Sequence, residues 1–377
     1  MQHRSGRGLT ARRTGRPRPR LVALLVPTVL GAVAAALLVG CSSQAGPSPT
    51  STSRPSKVST TTTTTTSPVG VAGTSLLRAR VAPLPPGALA LPAIADGSAA
   101  WQKMVPVAYR SFGSGPDLLL IEGQDGTLSW WSQTLLSDLS GHYRVTVFDL
   151  PGAGYSGPVS GRLSLSWLAD MTAGLSLTVG LSDPIVLGWG MGGQIALSLA
   201  ERHPGLIASL ILVDTSAGGP GSVPPTSEAV RLLARPGATP VALSTLLFPP
   251  TPVGLQNRLS WQSSLFVGTT DWLTAHAVEQ EAALQASLWA RSPLVAGLKR
   301  VSIPALVVSG AYDVVFPSAN SALLARELKH ATEVNFSRAA YGAIVQDEPS
   351  FVAAVDKFAG STVTTTTTTT TTTSSAS

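Results

Sequence analysis

Cysteine is nearly absent: the 377 residues hold one, Cys41. That excludes an intrachain disulfide and any metal site built from several thiolates. Histidine is almost as scarce, at five residues. The first 40 residues contain no Asp, Glu or Lys, yet they carry seven arginines: Arg4, Arg7, Arg12, Arg13, Arg16, Arg18 and Arg20. Setting those seven aside lowers the formal charge from +6 to −1. The basic balance therefore describes one terminus and points to no nucleic-acid partner. No metal and no cofactor is expected. With 44% hydrophobic residues, a chain of this size can build a large core without covalent staples.

The arginine-rich start runs into LVALLVPTVLGAVAAALLVG at 21–40, which is uncharged and ends on small residues before Cys41. A basic segment, an apolar run and a small-residue end form an export signal. Leu38-Val39-Gly40-Cys41 resembles the lipobox of bacterial lipoproteins. That resemblance implies that Cys41 is acylated and becomes the mature N-terminus. The protein would then be lipid-anchored to the cell membrane on its extracytoplasmic face. The alternative is an uncleaved anchor, because 20 apolar residues just span a bilayer; Pro27 within the run favours the lipoprotein. Either way the arginines stay inside.

Composition divides the rest. Residues 41–100 form a tether, rich in Ser, Thr and Pro, with Thr60–Thr66 an unbroken run. It has too few large apolar residues to bury a core and is expected to be disordered, with 74–100 running extended along the domain. A folded domain spans 101–360, and 361–377 is a disordered Thr-rich tail. In an exported protein such Ser/Thr tracts are either O-glycosylated or bare coil.

Within the domain, short apolar runs alternate with helical stretches, the pattern of an α/β fold with a mostly parallel sheet and helices on both faces. Strands are expected at Val105–Arg110, Leu118–Ile121, Arg144–Phe148, Pro184–Leu187, Leu210–Val213, Ala305–Val308 and Glu333–Phe336. Helices are expected at Trp130–Leu139, Leu165–Val179, Gln194–Arg202, Leu323–Leu328 and Phe351–Phe358, with a glycine-rich turn at Gly188–Gly193. The strand rhythm stops between about 218 and 300. There Glu228–Leu233 and Thr274–Trp289 are the clearest helices of an insertion placed to act as a lid.

Five ordered segments resemble the α/β-hydrolase superfamily, in the branch of esterases, lipases, epoxide hydrolases and haloperoxidases. SFGSGPDLLLIEG matches the strand that ends the family's His-Gly. YRVTVFDLPGAGYSG matches its Asp-x-x-Gly-x-Gly-x-Ser loop through Asp149, Gly152, Gly154 and Ser156. VLGWGMGGQIALSLAERHPGLIASLILVD matches the strand, nucleophile elbow, helix and next strand. IPALVVSGAYDVVFP matches the strand and loop presenting the acid, here Asp313. The stretch from Ser337 to Ala343 falls where the catalytic histidine belongs. The resemblance covers roughly 105–358 and implies an α/β-hydrolase fold with a helical lid.

The departures fall on the chemistry. The elbow reads Gly188-Trp189-Gly190-Met191-Gly192, so Gly190 occupies the place of the nucleophilic serine. Glycine has no group that can attack a carbonyl, and it adopts the elbow's strained backbone freely. Tyr341 stands in the place of the histidine; with an unperturbed pKa near ~10 a phenol is a poor general base at neutral pH. Of the histidines in the mature chain, His142, His203 and His330 fall at the wrong edge of the sheet. His276 belongs to the lid, most simply as an exposed residue. Asp313 keeps the acid position without a histidine to orient, and is expected to accept a hydrogen bond from Tyr341. The oxyanion-hole positions are the backbone amides at Gln124 and Met191. Glu122 replaces the family's histidine in His-Gly. With Asp125 it either opposes an oxyanion or hydrogen-bonds inside its own loop.

These departures imply a catalytically degenerate member whose pocket binds an apolar ligand or a protein partner. The expected lining is Glu122, Trp130, Trp189, Met191 and Tyr341, with Trp131 better read as core packing. The alternative is an α/β hydrolase of esters or lipids with a rewired site. Nothing in the sequence supplies that nucleophile, and losing serine or histidine alone costs a serine hydrolase on the order of 10⁶ in kcat. A third reading is a structural envelope lipoprotein that retains only the fold.

Overall fold

The computed structural model describes residues 89–94, 101–159, 161–264 and 273–370. The signal, Cys41, most of the tether and the end of the tail lie outside the described residues. A hairpin pairs β1 (Leu89–Ile94) with β2 (Trp101–Val107) antiparallel. The main sheet then begins with β3 (Tyr109–Phe112) and β4 (Asp117–Ile121). The strand expected at Val105–Arg110 is thus two strands. The chain leaves one pairing partner before Ala108 and takes up another after it, with β2 on β1 and β3 on a later strand.

After a 3₁₀ turn at Leu128–Trp130 come α1 (Gln133–Ser140), β5 (Arg144–Phe148), α2 (Leu165–Val179), β6 (Ile185–Trp189), α3 (Met191–Arg202) and β7 (Ser209–Val213). The lid contributes α4 (Ser227–Leu233), α5 (Pro240–Leu247), α6 (Pro252–Ser264), α7 (Ala275–Ala290) and α8 (Leu294–Gly297). The chain then returns through β8 (Ala305–Gly310), α9 (Ala319–Glu327), β9 (Ala331–Phe336), α10 (Ala343–Gln346) and α11 (Glu348–Thr370). The last helix runs ten residues into the expected disordered tail. A helix already nucleated and docked by Phe351 and Val355 extends at the cost of one residue per added hydrogen bond.

The strand order is β3-β5-β4-β6-β7-β8-β9, with β3 antiparallel to β5 and every other pairing parallel. The inner strands β4, β6, β7 and β8 are buried along their whole length, as parallel strands covered on both faces should be. The pleat divides their side chains between two cores. Leu118, Leu120, Leu187, Ile211 and Val308 face one core. Leu119, Ile121, Val186, Leu212 and Val307 face the other. Lid helices α4, α5 and α7 each start on a threonine, Thr226, Thr239 and Thr274, whose side chain accepts a backbone N–H of the first turn. The same architecture brings the carboxyl ends of β4, β6, β7, β8 and β9 to one edge of the sheet, where open α/β folds carry their sites.

Candidate functional site

The turn between β6 and α3 is a single residue, Gly190, with φ +57 and ψ −116. An L side chain is strained in that conformation. The glycine-rich turn expected over Gly188–Gly193 is otherwise absorbed, with Gly188 and Trp189 in the strand and Met191–Gly193 in the helix. The turn is held from below: Gly190 N–H donates to the Val213 carbonyl at 2.9 Å, and Thr215 Oγ1 donates to the Gly190 carbonyl at 2.6 Å. At Gly192 a Cβ would lie 2.6 Å from the Glu122 carbonyl oxygen, so only glycine lets the helix approach the end of β4. Met191, the other expected oxyanion position, opens α3, where backbone N–H groups have no acceptor within the helix.

Tyr341 lies directly over this turn. Its hydroxyl stands 2.6 Å from where a Cβ on Gly123 would be, and closer still to where one on Gly190 would be. The ring packs on Trp189 (5.4 Å between centroids) and Phe316 (5.8 Å), and Trp189 Nε1 donates to the Tyr341 carbonyl at 2.8 Å. The side chain is buried and its hydroxyl has no hydrogen-bond partner. Burial holds the phenol well above its ordinary pKa, and the carboxyls of Asp313, Asp214, Asp125 and Glu281 push it the same way. It therefore keeps its proton and cannot serve as a general base.

The bond expected from Tyr341 to Asp313 is not made. Asp313 Oδ1 instead accepts the backbone N–H groups of Val315 (2.7 Å) and Phe316 (2.9 Å), and its Oδ2 is unpartnered. The Tyr341 hydroxyl lies against Gly190 and Gly123. Burial raises Asp313 to about 7. Its neighbour Asp214, at the end of β7, accepts from Gly310 N–H at 2.8 Å and Ala343 N–H at 3.0 Å. Burial, and then Asp313, hold Asp214 well above the usual carboxyl range.

Glu122 bonds across to a neighbouring loop, where one of the two expectations was a bond inside its own. It is fully buried, and Oε1 accepts the Leu150 N–H at 2.8 Å, which ties the end of β4 to the end of β5. Burial, then Asp149, hold it well above its ordinary pKa. Gln124 directs its amide to the Leu233 carbonyl at 3.3 Å, so its side chain joins β4 to lid helix α4. Asp125 has φ +60 and two unpartnered oxygens, and burial, then Glu281, raise it to about 9. Its own N–H donates to Glu281 Oε2 at 2.8 Å. Glu281 sits on α7, is fully buried, and is raised by burial to about 7. Asp214 and Glu281 carried no sequence signal beyond their residue type; Glu281 is one acidic position on a weakly patterned helix.

The expected aromatic lining is largely core. Trp130 packs edge-on against Trp189 (6.2 Å) and Trp261 (5.8 Å), and Trp131 against Trp189 (5.9 Å). All four are buried. A cavity of about 230 Å³ does lie beneath the lid, lined by Gln124, Leu233, Gln285, Trp289 and Phe316 among others. Glu122, Trp130, Trp189, Met191 and Tyr341 do not line it. Among the described residues no histidine comes to the elbow: His142 and His203 pair with Asp356 and Asp170, and His276 is exposed on α7. Among the described residues no group of His, Cys, Asp and Glu is placed to hold a metal, and no helix is long and apolar enough to cross a membrane.

Comparison with known proteins agrees with this architecture. The profile described as "alpha/beta hydrolase fold" matches residues 116–241. The chain is 29% identical over 272 residues to the pimeloyl-[acyl-carrier protein] methyl ester esterase of Aeromonas hydrophila, covering 67% of this chain and 99% of that one. It is 30% identical over 270 residues to the enzyme of the same name from Aeromonas salmonicida, with the same coverage. In fold it is similar to a thermophilic esterase from Thermogutta terrifontis, with a TM-score of 0.58 at 22% identity over 70% of this chain and 97% of that one. The chain belongs to the α/β-hydrolase fold family.

Proposed function

We propose that the chain is a non-catalytic member of this family, an envelope lipoprotein held to the membrane by acylated Cys41, whose domain binds an apolar ligand or a protein partner. The observation that carries this reading is the pairing of Gly190 with Tyr341. The residue at the elbow has no nucleophile, and the phenol fills the space a serine side chain would need. Each change supports the other, because a side chain at 190 and the tyrosine hydroxyl exclude one another.

A second reading, a hydrolase with a rewired site, is favoured by the names of the relatives, which are esterases. It would need a water activated by Asp313, whose Oδ2 is unpartnered and whose pKa is raised to about 7.

Hydrolysis of short and medium acyl p-nitrophenyl esters separates the two. The full chain is expected to show no turnover above background, and a Gly190→Ser/Tyr341→His double variant to gain some. Wild-type turnover that falls on Asp313→Asn substitution would decide for the rewired hydrolase. Metabolic labelling with a radioactive fatty acid, lost in Cys41→Ala, tests the anchor.

A further inference from the structure

A cleft of about 440 Å³ lies between two helices of the sheet and the end of the lid. It shares no residue with the elbow or with the cavity beneath the lid. Its walls are the approach to α2 and that helix's first turn (Leu163, Leu165), α3 (Ser198), and lid helices α7 (Leu284, Leu288) and α8 (Leu294). On α7, Leu284, Ser287, Leu288 and Arg291 recur at the spacing of one helical face, while Gln285 and Trp289 of the lid cavity stand on another. The five leucines belong to the core that does not hold Tyr341 and Trp189.

Four charged residues line the cleft: Arg162, Arg202, Arg291 and Glu201. Two of them are already answered. Arg202 donates twice to Asp170, at 2.8 and 2.6 Å, and Glu201 pairs with Arg300. Among the described residues the side chains of Arg162 and Arg291 have no hydrogen bond and no ion pair. Arg291 closes α7, where the helix dipole favours a cation. Arg162 is the opposite case. It stands two residues before Ser164, the N-cap of α2, where the dipole disfavours a cation, and α2 has no acid in its first turn to offset it. A guanidinium there does nothing for the helix. The segment that carries it is nonetheless fixed: Leu163 is buried, and its N–H donates to Gln280 Oε1 on α7 at 3.1 Å. The two unpaired arginines are thus held on adjoining elements around one cleft.

One buried polar group in the wall also lacks a partner. Ser198 lies within α3 and is only 6% exposed. A helical hydroxyl ordinarily bonds back to the carbonyl four residues earlier, as Thr172 does to Leu168 at 2.8 Å. Ser198 makes no hydrogen bond through its side chain among the described residues. The unpartnered hydroxyls of Ser176 and Ser209 are sealed in the core, whereas Ser198 borders the cleft. Its hydroxyl is a donor open to an acceptor seated there.

We propose that this cleft binds a small organic phosphate, with the phosphoryl group held by Arg162, Arg291 and Ser198 and an apolar body resting on the leucines. Two unpaired guanidinium groups and a hydroxyl match a group that carries nearly two charges on three acceptor oxygens. The one carboxylate in the walls, Glu201, is neutralised by Arg300. The cleft excludes the elbow, so the assignment holds whether or not the domain is catalytic.

Calorimetric titration of the full chain with phenyl phosphate, benzoate, inorganic phosphate and benzyl alcohol tests the proposal. Phenyl phosphate is expected to bind at one saturable site. Benzoate, with one charge, should bind about fivefold more weakly. Inorganic phosphate lacks the apolar body and benzyl alcohol lacks the charge, and each should bind at least about tenfold more weakly. Arg162→Gln and Arg291→Gln lie at exposed positions; each should weaken phenyl phosphate about fivefold, and together they should abolish its binding. Ser198→Ala should weaken it about threefold. Arg231→Gln, on an exposed arginine outside the cleft, should leave the affinity unchanged. The proposal is overturned by absence of saturable phenyl phosphate binding, by benzoate, inorganic phosphate or the alcohol binding as tightly, or by affinity that survives the double arginine substitution. The arginine variants decide the matter even if Ser198→Ala fails to fold. Ester turnover by the wild-type chain would decide the role of the elbow and leave this ranking untouched.

Discussion

Two loops at the same edge of the sheet have opposite hydrogen-bond economies. The Asp149 loop, which closes β5, is satisfied. Asp149 Oδ1 accepts from Leu128 N–H (2.8 Å) and Oδ2 from Tyr155 N–H (2.9 Å). Ser156 Oγ donates to the Asp149 carbonyl (2.7 Å) and accepts from Ala108 N–H (2.9 Å). The region around the elbow is the reverse. Tyr341 OH, Asp313 Oδ2, both oxygens of Asp125 and one of Glu122 are buried without a partner. The Asp149 loop matches the family's motif in sequence, whereas Gly190, Tyr341 and Glu122 depart from it around the elbow. A scaffold loop retains every partner because folding requires them. A reaction centre that had lost its chemistry, as proposed for this one, would retain its carboxyls with nothing to orient or neutralise them.

The contrast can be broken from either side. Asp149→Ala should have the largest effect, leaving two half-buried N–H groups unpaired and costing about 4 kcal/mol in chemical denaturation. Gly190→Ser comes next: it strains a residue at positive φ and collides with the Tyr341 hydroxyl, for a loss of about 3 kcal/mol by the same measurement.

The pH dependence should also divide the two regions. Asp313 and Glu281 are raised to about 7 and Asp125 to about 9, against roughly 4 for such groups in an unfolded chain. The folded state then holds more protons than the unfolded state, so stability falls as pH rises. The loss begins near pH 4 and continues to about 7 for Asp313 and Glu281 and to about 9 for Asp125. Denaturation midpoints should therefore decline from pH 5 to pH 9, at no more than about 1.4 kcal/mol per pH unit for each group. Asp313→Asn should flatten the part below pH 7. A profile flat between pH 5 and pH 9 would mean that these carboxyls are solvated or paired after all.

The smallest effect carries an unusual sign. Tyr341→Phe removes a buried hydroxyl that has no partner, and should leave stability unchanged or raise it by about 1 kcal/mol. A clear loss would show that the hydroxyl has a partner in solution.

How much of this was legible depended on what each residue reports. Leu118–Ile121 and Leu210–Val213 read directly as strands, because a parallel strand covered on both faces is a continuous apolar run. The lid reads as largely helical, but α5 and α6 could not be delimited because their outward faces carry apolar residues, Val241, Leu255 and Leu259, which blur the helical period. Thr239-Pro240, a capping threonine before a first-turn proline, was the signal available for α5. Gly190 and Tyr341 were legible because motif order fixes their positions. The tryptophans misled, since an aromatic side chain packs a dry core as readily as it lines a cavity. Gln285 and Glu281 were invisible, because helical spacing does not say which polar residue a lid presses inward.

The central claim is that Tyr341 occupies the volume that a side chain at residue 190 would need. A thermodynamic cycle of Gly190→Ser, Tyr341→His and the double variant, followed by chemical denaturation, measures it directly. The account predicts strong coupling, with the cost of serine at 190 falling by at least about 1.5 kcal/mol once residue 341 is histidine. Costs that simply add would contradict it, because they would place the phenol away from the elbow.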